Sequence, residues 1–178
     1  MDIQTIYQKT ILFAAERHGE QKIPGSNIPY VVHVSNICME IIFAAAQTEN
    51  FRLELALQTA LLHDVLEDTA TTETELETIF GAEVTAGVKA LSKDETLPKT
   101  EQLPDSLQRI LLQPKEIWAV KLADRITNLQ PPPNHWKAEK IARYKQEAIL
   151  IYKTLKDGNS YLAKRLQQEI ENYNIFKI

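Results

Sequence analysis

Four ionisable side chains crowd into one short stretch, His63, Asp64, Glu67 and Asp68, within residues 61–69, LLHDVLEDT. Imidazole and carboxylate groups at this spacing can bind a divalent metal and pass a proton to or from water. Wound at about 100° per residue, the preceding residues Leu53, Ala56, Leu57, Ala60 and Leu61 fall on one helical face. That face runs forward into the four ionisable residues. Leu55, Leu62 and Leu66 occupy the opposite side, so a helix over 53–68 is expected to be buried nearly all round. Solvated charges at a frayed helix end are the plainer alternative, but their phase with the leucine stripe argues against it. Buried unpaired carboxylates are costly and would repel one another beside the histidine. A metal ion among them is the simplest remedy.

A second acid interrupts an apolar stripe in the stretch 120–128, VKLADRITN. Ile117, Val120 and Asp124 share a helical face, and Asn128 lies one turn beyond Asp124. His33 follows Ile28-Pro-Tyr-Val-Val in the first turn of another expected helix. Taken singly, a buried Asp that bonds a neighbouring helix end, or a histidine near a helix start, is an ordinary structural feature. Taken together, His33, His63, Asp64 and Asp124 offer two imidazoles and two carboxylates. That mixed set suits Mn²⁺ or a similar borderline-to-hard divalent ion with positions left for water. It does not suit a closed structural zinc site.

The elements that must position these residues read as helices throughout. Ile3, Ile6, Tyr7, Ile11, Ala14 and Ala15 give a helix over 3–18 stopped by Gly19, followed by a loop over 19–29. Further helices are expected over 30–46 and 53–68, then from a Thr72-x-x-Glu75 capping box to Gly81, and over 84–91. Residues 92–104 read as a polar loop beside the site, and a short helix is expected near 105–112. Pro114 opens the next helix, which ends at Pro131–Pro133. Two long helices, about 137–156 and 158–174, close the chain. No stretch alternates with period 2, so the expectation is an all-α helical bundle forming a single domain over 1–178.

The whole chain narrows the function further. Its 178 residues carry a net charge of −4 and 25% charged side chains, which gives no reason to expect a nucleic-acid partner. Any anionic ligand has to be met by locally clustered Lys and Arg. Cys38 is the only cysteine and excludes an intramolecular disulfide or a multi-cysteine zinc site. No apolar run reaches the ~18–20 residues that span a bilayer, and the amphipathic start is unlike a signal peptide. A cytoplasmic, non-membrane protein is expected.

The order His…His-Asp…Asp resembles the HD phosphohydrolase superfamily. Three pieces, 17–33 (RHGEQ…PYVVH), 63–69 (HDVLEDT) and 121–129 (KLADRITNL), resemble the hydrolase domain of the RelA/SpoT alarmone enzymes. FGAEV at 80–84 and TLPK at 96–99 are similar to the stand-alone small alarmone hydrolases of the animal Mesh1 type. The resemblance spans nearly the whole chain. It implies an HD fold holding Mn²⁺ through His33, His63, Asp64 and Asp124. It also implies hydrolysis of the 3′-pyrophosphate of ppGpp or pppGpp to GDP or GTP and pyrophosphate, the chemistry of the stringent response.

In that reading Glu67 accepts a proton from a metal-activated water and Asp68 positions it, or the two exchange these roles, and Asn128 hydrogen-bonds substrate or water. The resemblance also assigns Lys22, Lys99, Lys140 and Tyr144 to the nucleotide, while His135 and Trp136, after the proline run, either rim the pocket or serve ordinary packing. Two positions depart from the family pattern. Ile23 and Pro24 follow Lys22 where relatives carry further basic residues, and Val34 stands where they commonly have proline. The first departure keeps another phosphorylated nucleotide in play, including the 2′-phosphate of NADPH. A non-catalytic nucleotide-binding HD module is the remaining alternative, and the intact ligand set and Glu67-Asp68 pair weigh against it.

Overall fold

A computed structural model describes residues 1–133 and 135–176. Ten α-helices occur among the described residues: α1 (Ile3–His18), α2 (Val31–Ala46), α3 (Leu53–Leu62), α4 (Val65–Asp68), α5 (Glu73–Phe80), α6 (Ala82–Leu91), α7 (Lys99–Leu111), α8 (Lys115–Asn128), α9 (Ala138–Leu155) and α10 (Ser160–Asn172). A 3₁₀ turn, Tyr173–Phe176, follows. The described residues hold no strand beyond an isolated bridge between Lys22 and Pro29, as expected of an all-α chain. Among them no helix is long and apolar enough to cross a membrane.

Two helices organise the bundle. α3 packs on α1, α2, α6 and α8, and α8 packs on α2, α3, α9 and α10. Both are buried on nearly every side: Leu55, Ala56, Leu57 and Thr59–Leu62 on α3, and Glu116, Ile117 and Ala119–Ile126 on α8. Every functional group placed on them is therefore held by core packing, which fixes rotamers far better than a surface helix does. Local signals set the ends. Asp2, Thr72 and Asn159 accept hydrogen bonds from Thr5, Glu75 and Leu162 backbone N–H groups at 2.8, 3.2 and 3.0 Å. Gly19 and Gly81 stop their helices at φ of 48° and 85°, in the left-handed half of conformational space.

Three sequence expectations change. The single helix expected over 53–68 breaks into α3 and α4 at His63-Asp64. There Asp64 adopts φ −106°, ψ −1°, and His63 Nδ1 donates to the Ala60 carbonyl at 2.9 Å, competing with the backbone ladder as α3 ends. The reciprocal half of the capping box is absent, because the Glu75 carboxylate pairs with Arg17 at 2.5 Å. Finally, α7 begins at Lys99 and not near 105, with Pro104 inside its first half. Pro98 precedes it, and the Gln102 amide donates to the Leu97 carbonyl at 3.1 Å.

Candidate metal centre and catalytic site

The break after α3 is what assembles the site. It turns His63 and Asp64 towards His33 in the first turn of α2 and Asp124 in the second half of α8. His33, His63 and Asp64 each bring a donor atom within 4.8 Å of the other two. Asp124 Oδ1 lies 3.5 Å from His33 Nε2 and 3.7 Å from His63 Nε2, and His63 Nε2 lies 2.8 Å from Asp64 Oδ2. His33, His63 and Asp124 are only 6, 2 and 6% exposed.

These separations, 2.8 to 3.7 Å, bracket the spacing expected of ligands gathered around one ion. Ligand atoms about 2.1 Å from a common ion and roughly 90–109° apart sit about 3.0–3.4 Å from one another. The bond from Nδ1 to the Ala60 carbonyl turns Nε2 of His63 towards the carboxylates. Nε2 is buried and has no hydrogen-bond partner, although Asp64 Oδ2 is close by. Two imidazoles and two carboxylates with such an atom at their centre fit a divalent metal ion.

The electrostatics agree. Burial opposes the charged forms of Asp64 and Asp124, but the neighbouring cations overcome it. Facing His63 holds Asp64 below the usual carboxylate range, and Lys121, His33 and His63 do the same for Asp124. Burial likewise lowers the His63 pKa, but Asp64 and Asp124 push it up to about 9. Each carboxylate also has a fixed partner. Lys121 Nζ donates to Asp124 Oδ2 at 3.1 Å, Asn128 Nδ2 donates to Asp124 Oδ1 at 2.5 Å, and the Tyr30 hydroxyl donates to Asp64 Oδ2.

Glu67 and Asp68 stand on α4, directly beyond this cluster. Gln21 Nε2 donates to Asp68 Oδ2 at 2.8 Å, and Gln21 Oε1 is met by His18 Nδ1 at 2.7 Å. Since Gln21 donates through its nitrogen, its oxygen accepts, and His18 carries its proton on Nδ1. Burial raises the Asp68 pKa, with Asp64 and Glu67 adding to it and the Gln21 hydrogen bond opposing. Glu67 is met at both oxygens by Lys93, through the backbone N–H at 3.0 Å and through Nζ at 2.6 Å.

A cavity of about 810 Å³ opens against His33 and Asn128, and its walls include Ile23–Ser26, Pro131–Pro133, Trp136 and Tyr144. Tyr144 sits with its ring over the buried Arg125 guanidinium, 4.4 Å from its centre, and edge-on to Trp136 at 5.1 Å. Lys140 lies outside the cavity wall and places Nζ 4.1 Å above the opposite part of this stack, on the Trp136 ring. His135 shares that outer recess with Lys140. Lys22 and Lys99 are exposed and do not line the cavity.

Sequence reasoning assigned no role to Tyr30, Gln21, Lys121 or Lys93. The first two lie in the motif around His33, and Lys121 precedes Asp124 by one helical turn, so spacing could have indicated them. Lys93 is 26 residues from Glu67 in sequence and carries no local signal.

Known proteins share the sequence pattern and the fold. A family model described as an HD domain matches residues 11–159. Guanosine-3′,5′-bis(diphosphate) 3′-pyrophosphohydrolase MESH1 of Danio rerio is 33% identical over 165 residues, covering 90% of this chain and 89% of that one. Its Homo sapiens counterpart is 32% identical over 160 residues, with 87% of each chain covered. A solved structure reported as a metazoan orthologue of SpoT that hydrolyses ppGpp superposes with a TM-score of 0.84 at 26% identity, covering 97% of both chains.

Proposed function

The chain belongs to the HD-domain family, and from that premise we propose that it is a Mn²⁺-dependent hydrolase. It removes the 3′-pyrophosphate of ppGpp or pppGpp, as the MESH1 relatives' name describes for ppGpp. The observation that carries the reading is the convergence of His33, His63, Asp64 and Asp124 directly beside the Glu67-Asp68 pair. His33 Nε2, His63 Nε2, Asp64 and Asp124 would hold the ion, and their mixed nitrogen and oxygen donors favour Mn²⁺. When bound, it supplies Lewis-acid activation of water and of a phosphoryl oxygen.

The protein's own groups do the positioning and the proton transfer. Asp68, braced by Gln21 and His18, orients the attacking water, and Glu67 takes its proton. The water oxygen bonds to the phosphorus attached to the ribose 3′-oxygen. The P–O3′ bond breaks, the 3′-oxygen acquires a proton, and pyrophosphate departs. Asn128 faces both Asp124 and the cavity, where its amide can reach the substrate. Trp136 and Tyr144 give the nucleoside an aromatic wall, with Lys140 behind it. Lys22 and Lys99 would reach the outer phosphates from beyond the wall.

One observation favours a second reading, removal of the 2′-phosphate of NADPH. Among the described residues lining the cavity, Arg165 is the one Lys or Arg, and Glu40 engages it through two hydrogen bonds of 2.6 and 2.7 Å. A monoester asks for fewer cations than a pyrophosphate.

Release of pyrophosphate from ppGpp by metal-stripped protein, with and without Mn²⁺, tests the assignment beside Glu67→Gln and Asp68→Asn. The expected result is Mn²⁺-dependent release, reduced by roughly 10²-fold or more in Glu67→Gln. Turnover of NADPH alone would replace the substrate assignment and keep the centre. No turnover of either would leave the binding module.

A further inference from the structure

Glu67 is capped at both oxygens by a single residue, and the two halves of the cap differ in mobility. The Lys93 N–H, on Oε2, belongs to backbone that is tightly held. Arg109 Nη2 donates to the Ser92 carbonyl at 2.7 Å, and Ser92 Oγ donates to the Val88 carbonyl at 2.9 Å, fixing the exit from α6. The Lys93 ammonium, on Oε1, ends a flexible four-carbon stem whose side chain is 48% exposed, against 16% for Glu67. Burial disfavours its charge, but Glu67, Asp64 and Asp124 hold it protonated, so it is a cation within the field of the metal centre. Of the other cations near the site, Lys121 is committed to Asp124 and Arg165 to Glu40.

We propose that the Lys93 ammonium is a ligand for the substrate's 3′-pyrophosphate, and that its transfer to phosphate uncaps Glu67. This rests on the hydrolase reading above. A pyrophosphate group brings more than one negative charge against the single charge of Glu67, so Nζ exchanges partners when substrate arrives. Oε1 is thereby released to take the proton of the attacking water. The backbone N–H stays on Oε2 and keeps the carboxylate aimed. Lys93 remains protonated throughout, and the proton balance is unchanged. The base is thus masked in the empty enzyme and exposed only when a phosphate of the right charge lies beside it.

The test is calorimetric binding of inorganic pyrophosphate to Mn²⁺-loaded wild type, Lys93→Met, Lys93→Arg, Glu67→Gln and the Glu67→Gln/Lys93→Met double variant. Methionine keeps the backbone N–H on Glu67 and removes only the ammonium. Lys93→Met should weaken pyrophosphate about tenfold or more, the range of a charged hydrogen bond, while Lys93→Arg stays within a few-fold of wild type. Glu67→Gln should bind pyrophosphate more tightly than wild type, because Nζ is no longer shared, and the double variant should lose that gain. The Glu67→Gln comparison stands even if Lys93→Met folds poorly. Unchanged affinity in Lys93→Met, with only turnover reduced, would reduce Lys93 to a support for Glu67 and overturn the proposal. Wild type that neither binds pyrophosphate nor hydrolyses ppGpp would remove the hydrolase reading first, and this one with it.

Discussion

Tyr30 donates its hydroxyl hydrogen bond to Oδ2 of Asp64, the same oxygen that lies 2.8 Å from Nε2 of His63. Its ring is wedged between His18 and His33, with centroids 4.7 and 5.1 Å away. Burial, reinforced by Asp64, raises the phenol pKa far above its ordinary value, so the group stays a donor at any working pH. Tyr30 thus sets which lone pair of Asp64 remains for a metal. Tyr30→Phe is expected to weaken Mn²⁺ binding by roughly 10–100-fold, the usual effect of losing such a supporting bond. A Mn²⁺ titration of the stripped variant checks it.

Metal uptake should release a proton. With its pKa pushed up to about 9, metal-free His63 carries a proton on Nε2 at neutral pH, and a metal has to displace it. Affinity should therefore rise about tenfold per pH unit until pH reaches about 9, then level off. Asp64 and Asp124 are held below the usual range and stay ionised across this window, so they add no slope. Calorimetry at pH 7.5 in two buffers of different ionisation heat should return close to one proton per Mn²⁺. A value near zero would mean that His63 is already neutral.

Gln21 lowers the Asp68 pKa against a burial effect that raises it. Gln21→Leu removes the opposing hydrogen bond, so the Asp68 pKa should climb further and the carboxylate should protonate at higher pH. The acid limb of kcat should move up the pH scale, with part of the loss recovered in alkali and KM for ppGpp little changed. A uniform loss at every pH would mean that Gln21 acts on something other than Asp68.

The stripe that began at Leu53 pointed to the His63-Asp64 cluster because these residues come directly after the buried leucines of α3. That fact is independent of the turn that re-aims them. The turn itself was hidden, since it comes from a side-chain bond to Ala60 whose geometry has no signature in residue order. His33 and Asp124 were legible as candidate ligands only in company, each being ordinary alone. The Lys93–Glu67 contact was not legible, because it depends on how α6 packs beside α4. Lys22 and Lys99 were placed by resemblance; both are exposed, Lys22 on a loop that presents Ile23 and Pro24 to the cavity instead, and Lys99 at the start of α7.

The turn between α9 and α10 should tolerate no side chain at Gly158. A Cβ there would stand 2.6 Å from Trp118 Cβ and 3.1 Å from the Leu155 carbonyl. Neither can swing aside. Trp118 lies on α8, with its indole N–H donating to the Gln113 carbonyl at 3.0 Å, and the Leu155 carbonyl accepts the Gly158 N–H at 2.9 Å. The next residue ties the turn to the segment just past α2, because Asn159 Nδ2 donates to Thr48 Oγ1 at 2.9 Å. Gly158→Ala must then lift the turn away from α8, at a cost of roughly 1–3 kcal/mol. For a chain of this size each kcal/mol lowers the unfolding midpoint by about 2–4 °C. Mn²⁺ affinity should stay within a few-fold, since the ligands sit on α2, around the α3–α4 break and in the far half of α8. Thermal unfolding with a parallel Mn²⁺ titration decides it: an unchanged midpoint would show that the turn can shift outward freely, and a lost metal would show that α8 moves as one body with the turn.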